Sequence, residues 1–213
     1  MHQFISMLFS LLVITGLQVS ESTGTRSERS IDRSYRSELT VPNGGRWGSW
    51  GPREMCPTGT YAVGFSLKCC CCCVKVEYRT LGDDTALNGI RLFCIDASKV
   101  SNSIRDYASV QSSVGRWGVW TVIKWCRPGL LTAFKLKVER PQGDGDDTAA
   151  NNVLVQCSHG PSLVGEGTSW GEWDYWSNTC EGKGICGIQT RVEESQGGGD
   201  DTALNDVRMY CCD

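Results

Sequence analysis

One segment, Gly-Asp-Asp-Thr-Ala, occurs three times in this chain, at 82–86, 145–149 and 199–203. Each copy follows a tryptophan pair with the spacing W-G-x-W, and each lies between two cysteines. The tryptophan pairs are Trp47/Trp50, Trp117/Trp120 and Trp170/Trp173, and the flanking cysteines are Cys56/Cys94, Cys126/Cys157 and Cys180/Cys211. Three copies of one unit in a fixed order predict an architecture with internal threefold repetition.

The units have the pattern of β-strands. Residues 134–139 and 188–193 alternate apolar and polar side chains, which is the period of a strand with one solvated face. Short apolar runs precede the last cysteine of each unit, at 90–93, 153–156 and 207–210. The 25 glycines punctuate these runs, and nothing has the apolar period of an amphipathic helix. We therefore predict an all-β domain in which three sheets bury their apolar faces in one shared core, as a three-sided prism.

The N-terminal residues do not fit this repeat. Residues 1–20 are an apolar block followed by small and polar residues, and they predict a cleaved secretion signal. Residues 21–38 are rich in Ser, Arg and Glu and predict a flexible arm. The remaining 39–213 predict a single soluble domain that does not span a membrane. Its repeats cover about 39–95, 109–158 and 162–213.

Secretion would place the cysteines in an oxidising compartment, where they are expected to pair as disulfides. Repeat equivalence pairs Cys56 with Cys94, Cys126 with Cys157 and Cys180 with Cys211. The third unit has two more cysteines, Cys186 and Cys212, which would then pair with each other. Because Cys211 and Cys212 are adjacent, exchanged partners among Cys180, Cys186, Cys211 and Cys212 remain open.

A run of five cysteines, 69–73, interrupts the first unit. Removing 69–75 restores both the spacing of the repeat and the alternation of its strand. Three interpretations are open: a thiolate cluster for a soft metal, a real loop, or a gene-model error that adds seven codons. Neighbouring strand residues point to opposite faces and would not all chelate one ion, and removal leaves an even number of cysteines. We therefore favour the gene-model error.

The first unit carries, in order, W-G-x-W, C-x2-G, a strand ending in K-V-E, and G-D-D-T-A-L-N-G-I-R-L-x-C. Together these motifs resemble the vitelline membrane outer layer protein family over about 39–213, with a departure at 69–75. The resemblance implies a β-prism of three Greek-key sheets with pseudo-threefold symmetry and four disulfides. It also implies a secreted structural component of an extracellular coat, either the outer layer of an egg vitelline envelope or a mucosal layer. Its partners would be coat proteins or glycans.

The same resemblance leaves two carbohydrate-related functions open. One is a carbohydrate-binding protein, and the other is a lysozyme-like transferase of N-acetylglucosamine oligosaccharides. We favour a protein without catalytic activity, because no carboxylate stands out as a general acid and catalytic residues cannot be assigned. The ligand-binding candidates are Trp125 and Trp176, which break the tryptophan repeat, and Glu172 and Asp174, acids found in one unit only.

The repeated motifs themselves are interpreted as scaffold. Gly-Asp-Asp-Thr has the composition of a turn, in which Asp and Thr oxygens accept bonds from nearby backbone N–H groups. The predicted structural turn residues are Asp83, Asp84, Asp146, Asp147, Asp200 and Asp201. The tryptophan pairs are predicted to pack in the core, with an exposed carbohydrate platform as the alternative.

Composition and charge exclude other classes of partner. A net charge of −3 leaves no basic footprint for nucleic acid. Only one histidine, His159, follows the predicted signal, so no zinc site with standard spacing is expected. We expect a monomer that requires neither a metal nor a cofactor.

Overall fold

The computed structural model describes residues 33–69, 87–99, 106–139, 150–194 and 203–213. The long strands are β4 (Thr60–Cys69), β5 (Leu87–Asp96), β9 (Leu131–Val138), β10 (Ala150–Cys157), β13 (Gly184–Val192) and β14 (Leu204–Cys212). The short strands are β1 (Ser37–Leu39), β2 (Ser49–Trp50), β3 (Glu54–Met55), β6 (Ala108–Val110), β7 (Val119–Trp120), β8 (Lys124–Trp125), β11 (Leu163–Val164) and β12 (Glu172–Trp173). A 3-10 turn follows β5 at Ala97–Lys99. The alternating runs of the sequence fall in long strands, and no helix in the described ranges is long and apolar enough to cross a bilayer.

The strands form three antiparallel sheets, each built around one long hairpin. Sheet A has the order β1-β14-β13-β2, with β3 also on β13. Sheet B has the order β6-β5-β4-β7, with β8 also on β4, and sheet C has the order β11-β10-β9-β12. In sheets B and C, three consecutive strands are followed by a fourth that returns beside the first, which is the Greek-key connection. Sheet A has the same spatial order, although its strands are not consecutive in the chain, and the predicted β-prism of three Greek-key sheets is confirmed.

The two halves of sheet A come from opposite ends of the chain. β1 pairs with β14 and β2 pairs with β13, so the first strands complete the sheet of the last hairpin. Likewise, β7 joins the hairpin of the first repeat and β12 joins that of the second. Each tryptophan pair therefore lies on a sheet whose long hairpin belongs to another repeat. The positions opposite each other are Trp50 and Arg191, Trp120 and Lys68, and Trp173 and Lys137.

A single apolar core lies between the sheets and receives side chains from all six long strands. Phe65, Phe134 and Ile188 occupy equivalent positions in the three long hairpins and are fully buried. Each faces inward because alternate residues of a strand point to the same side. The three apolar faces predicted from the alternation are therefore buried against one another.

Four disulfides are present: Cys56–Cys94, Cys126–Cys157, Cys180–Cys211 and Cys186–Cys212. The first three are the pairs assigned by repeat equivalence, and the fourth joins the two extra cysteines of the third unit without the exchange of partners that the sequence left open. The first three contact the central core, one in each repeat. The fourth belongs to a smaller cluster with Met55, Tyr61 and Tyr210 on the other face of sheet A.

Cys69 is the last residue of β4 and is buried opposite Leu87. The equivalent positions of the other two sheets hold Val138, opposite Ala150, and Val192. Cys69 therefore acts as a small apolar residue of the core. The rest of the inserted run, 70–75, lies outside the described residues, as do the predicted signal at 1–20 and the six aspartates of the turns.

Residues 33–38 belong to the segment predicted to be a flexible arm, but they lie against the prism. Arg33 is 9% exposed, and its guanidinium is 5.0 Å from the centre of the Tyr61 ring. Its Nη1 donates to three backbone carbonyls, those of Cys56 at 3.2 Å, Pro57 at 3.0 Å and Thr60 at 2.7 Å. Composition did not predict this contact, because the segment is held by hydrogen bonds of one arginine to backbone carbonyls rather than by a cluster of apolar residues. Residues 21–32 lie outside the described ranges.

Candidate functional site

The three tryptophan pairs lie on the outer faces of the sheets, so their predicted placement in the core is wrong. The first tryptophan of each pair is largely exposed: 64% for Trp47, 50% for Trp117 and 65% for Trp170. The second tryptophan of each pair is half-buried. The reason is topological, because each pair sits at a two-residue edge strand, outside the faces that form the core.

The glycine of each pair holds the chain close to a long strand. Gly48, Gly118 and Gly171 have φ angles of +78°, +90° and +77°, which residues with a Cβ adopt only at a cost. A Cβ added at Gly48 would lie 2.3 Å from the carbonyl oxygen of Val192. At Gly171 it would lie 2.4 Å from the carbonyl of Val138. The glycine of the W-G-x-W motif therefore allows the edge strand to approach the neighbouring long strand closely.

A guanidinium lies over the half-buried tryptophan in two of the sheets. Arg91 on β5 is 4.0 Å from the centre of the Trp120 ring, and Arg208 on β14 is 4.1 Å from that of Trp50. The two arginines occupy the same position of the repeat. Stacking of this kind contributes about 0.5–1 kcal/mol at exposed sites and fixes the orientation of the indole.

Sheet C uses a lysine instead. The position equivalent to the two arginines is Leu154, and the cation comes from Lys135 on β9. Its Nζ is 5.9 Å from the centre of the Trp173 ring and 5.3 Å from that of Trp176. Lys135 thus contacts two indoles at once.

A second basic residue in each sheet holds the backbone around the exposed tryptophan. The contacts are Lys68 Nζ to the carbonyls of Gly115 (2.8 Å) and Arg116 (3.1 Å), Lys137 Nζ to that of Ser169 (2.6 Å), and Arg191 Nε to that of Gly48 (3.0 Å). The three cations are equivalent in the repeat, and each lies directly opposite the half-buried tryptophan across the strand pair.

Each outer face therefore carries two tryptophans and two basic residues, and we name these groups after their sheets. Patch A is Trp47, Trp50, Arg191 and Arg208; patch B is Trp117, Trp120, Lys68 and Arg91; patch C is Trp170, Trp173, Lys135 and Lys137. The basic members were not predicted from the sequence. A signal for them was present, since an arginine stands three residues before the final cysteine in the first and third repeats.

Three of the four predicted ligand-binding residues lie beside patch C. Glu172 is exposed on β12, and Asp174 Oδ1 accepts a hydrogen bond of 2.8 Å from the backbone N–H of Tyr175. Trp176 is 39% exposed and Tyr175 is 79% exposed. With Trp170, this segment presents three exposed aromatic rings flanked by two carboxylates.

Trp125 lies elsewhere, on sheet B. Its ring centre is 5.6 Å from that of Phe93 and 5.5 Å from that of Tyr107. A Cβ at Gly64 would lie 2.7 Å from the Trp125 ring, so the indole covers the backbone at this glycine. Trp125 therefore packs within an aromatic cluster on sheet B and does not join the other three candidates on sheet C.

The patches differ in their charge. In patch A, Arg208 Nε lies 3.4 Å from the carboxylate of Glu38. Asp206 also interacts with both arginines of patch A, and burial raises the pKa of its carboxyl despite them. Patch C adjoins two acids. In the described part of the chain, the cations of patch B have no acidic partner, and Arg116 adds a third cation 5.3 Å from the Trp117 ring.

A cleft of about 810 Å³ separates the β2 turn from the connection between β6 and β7. It is lined by Gly48, Ser49, Trp50, Gly51, Pro52, Ser112, Ser113, Val114, Val192 and Glu194. Glycoside hydrolysis commonly uses two carboxylates on either side of the bond, and these lining residues include one, Glu194. Within the described ranges, no group of three or more His, Cys, Asp or Glu residues is arranged to hold a metal ion.

These features define a disulfide-stapled β-prism whose three outer faces display tryptophans beside basic side chains. The family model of vitelline membrane outer layer protein I (VOMI) matches residues 37–213, and the chain belongs to this family. It is 45% identical over 206 residues to the vitelline membrane outer layer protein 1 homolog of Homo sapiens, covering 96% of this chain and 94% of that protein. It is 46% identical over 184 residues to the Mus musculus homolog, covering 85% and 86%.

Solved structures with a similar chain trace include two plant lectins. One is a mannose-binding jacalin-related lectin from Ananas comosus, with a TM-score of 0.45, 12% identity, and coverage of 82% of this chain and 95% of that chain. The other is Frutapin, a lectin from Artocarpus incisa, with a TM-score of 0.48, 11% identity, and coverage of 84% and 99%.

Proposed function

We propose that the protein is a secreted structural component of an extracellular coat, such as the outer layer of an egg envelope or a mucosal layer. The observation that carries this proposal is the covalent closure of the prism. Four disulfides close intervals of 26 to 38 residues, and each stabilises the fold by about 3.5–4 kcal/mol in the chain-entropy model. Such a body suits a durable matrix, and the names of the relatives in the family agree with this role.

The same chemistry supports secretion. Disulfides form and persist in oxidising compartments, and the first 20 residues have the pattern of a secretion signal. The edge strands are two or three residues long, so little unpaired backbone is left for strand addition by another chain. Coat proteins or glycans would therefore be bound through side chains on the outer faces.

The test is to express the full chain in secretory cells and to follow it into the coat of the tissue that produces it. We expect a secreted product that lacks the N-terminal segment, resists protease until it is reduced, and stays with the coat during washes with high salt. Retention inside the cell, or recovery only in the soluble washings, would contradict the proposal.

Carbohydrate binding is the second candidate, and the observation that favours it lies beside patch C. The exposed rings of Trp170, Tyr175 and Trp176 offer apolar surfaces for the faces of sugar rings, and Glu172 and Asp174 could accept bonds from hydroxyl groups. A titration with chito-oligosaccharides or mannosides, read by tryptophan fluorescence, tests this function.

The variant Trp176→Ala should abolish a saturable change in that titration, whereas Trp47→Ala, an exposed tryptophan on another sheet, should preserve it. Equal effects of the two variants would exclude the aromatic segment beside patch C as the site. Incubation with chito-oligosaccharides separates the classes further, because a transferase changes their length and a binding protein does not.

A further inference from the structure

We propose that patch B binds a glycan that carries sulfate or carboxylate groups. This site lies on sheet B and is distinct from the aromatic segment beside patch C. The choice of a glycan among polyanions rests on the extracellular location in the proposed function.

The side chains of patch B share one face of the sheet. Trp120 on β7 lies opposite Lys68 on β4, and Arg91 on β5 lies opposite Ser66, two residues before Lys68. Residues two apart on a strand point to the same side, and Ser66 is small enough to let the arginine reach across. The result is the 4.0 Å stacking of Arg91 on Trp120, which ties three strands together on the outer surface.

Arg91 retains donors for a ligand. Its Nε donates to Gln111 Oε1 at 2.7 Å, which fixes the plane of the guanidinium. Arginine carries five N–H donors, and in the described structure the Nη groups of Arg91 donate to no protein oxygen. A planar donor of this kind suits the paired oxygens of a sulfate or carboxylate.

The segment before β7 adds an exposed ring and a further cation. Trp117 is half exposed, and the guanidinium of Arg116 lies 5.3 Å from its centre. Lys68 Nζ holds this segment through its bonds to the carbonyls of Gly115 and Arg116. A sugar ring could stack on Trp117 while its acidic substituents reach Arg116 and Arg91.

Charge distinguishes patch B from its two counterparts. Arg208 of patch A lies beside Glu38, and patch C adjoins Glu172 and Asp174. In the described part of the chain, the two cations of patch B and the neighbouring Arg116 have no acidic partner. The whole chain carries a net charge of −3, so this concentration of positive charge is local. A local positive potential draws anions to one face, and the net-negative body disfavours a long nucleic acid.

The experiment measures binding of a heparin-derived octasaccharide and of its desulfated form to the full secreted chain. Calorimetry should show saturable binding of the sulfated form, which weakens as salt is added, and none of the desulfated form. The variant to compare is the double substitution Arg91→Leu with Arg116→Ser. It replaces each arginine with the residue found at the equivalent position of another repeat, Leu154 for Arg91 and Ser169 for Arg116. We expect this double variant to lose about tenfold in affinity, the size expected for lost charge-assisted bonds.

The matched control is Arg46→Ser, the equivalent of Arg116 in patch A, which should change the affinity less than twofold. Trp117→Ala removes an exposed ring and should also weaken binding without shifting the thermal midpoint. Equal losses in Arg46→Ser and the double variant would overturn the assignment to patch B. Equally tight binding of a DNA duplex would overturn the choice of a glycan. If the protein is retained in the coat but does not bind the octasaccharide, this inference is refuted and the proposed coat function is unaffected.

Discussion

The W-G-x-W glycine offers a quantitative test of how the tryptophans are placed. We choose Gly48→Ala, because Gly48 has a φ of +78° and its Cβ would lie 2.3 Å from the carbonyl oxygen of Val192. Gly59 is the matched control, since its φ is +80° but no heavy atom lies within 4 Å of an added Cβ. The two substitutions share the backbone strain and differ in the contact with a neighbouring strand.

The expected magnitudes follow from those two terms. A left-handed conformation costs an L-residue about 1–2 kcal/mol, and that is the whole expected loss for Gly59→Ala. At Gly48 the new methyl group meets backbone atoms that cannot rotate away, which adds about 1–3 kcal/mol as in an overpacked core. We therefore expect Gly48→Ala to destabilise the protein by about 2–5 kcal/mol in total.

The assay is chemical denaturation with the disulfides intact, followed by far-ultraviolet circular dichroism and by tryptophan fluorescence. Gly48→Ala should also change the native fluorescence, because β2 must separate from β13 and carry Trp50 away from Arg208. Gly59→Ala should leave that spectrum unchanged. If the two variants lose the same stability within about 0.5 kcal/mol, close approach of the strands is not the reason for glycine in the motif.

Three further changes test other parts of the structure. Burial raises the pKa of the Asp206 carboxyl, so its ionised form opposes folding, and the protonated form that favours folding is lost as the pH rises. The variant Asp206→Asn introduces the residue found at the equivalent position 152. We expect it to raise the free energy of unfolding more at about pH 7 than at about pH 3, as measured by denaturation at each pH. Equal effects at both pH values would contradict this. Arg33→Met removes charged hydrogen bonds to three carbonyls and should cost about 1.5–3 kcal/mol in the same assay, whereas an unchanged midpoint would show that the contact is incidental. The double variant Cys186→Ser, Cys212→Ser opens a 26-residue interval and should lose about 3.5 kcal/mol while keeping native circular dichroism, and loss of the whole fold would refute its placement outside the main core.

Much of the architecture was predictable because the same pattern of strands and cysteines recurs in three units of the sequence. The alternation at 134–139 identified β9, and the spacing of the repeat assigned Cys157 as the partner of Cys126 and favoured Cys211 over Cys212 as the partner of Cys180. The candidate site was less predictable. Glu172, Asp174 and Trp176 do lie together, since they are close in the chain, whereas Trp125 was separated from them by strand order.

The exposure of the tryptophans shows that residue type alone is a limited guide to burial. Tryptophan is large and mostly buried in proteins, so a core position for Trp47 was the reasonable expectation. Its exposure depends on β2 being an edge strand of two residues, and nothing in the local sequence around Trp47 reveals which sheet that strand joins or on which side it lies.

The sequence by itself determined the class of fold, the number of sheets, the disulfides of the first two repeats and the membership of the vitelline membrane outer layer protein I family, whereas the structure decided the pairing among the four cysteines of the third repeat. These properties depend on local periodicity and on spacing, and a linear chain displays both. Only the tertiary structure decided that β2 completes the sheet of β13, that Arg91 stacks on Trp120, and that Arg33 is buried. Each of these pairings joins residues far apart in the chain, and their contact energy exists only after the Greek-key crossings have brought the strands together.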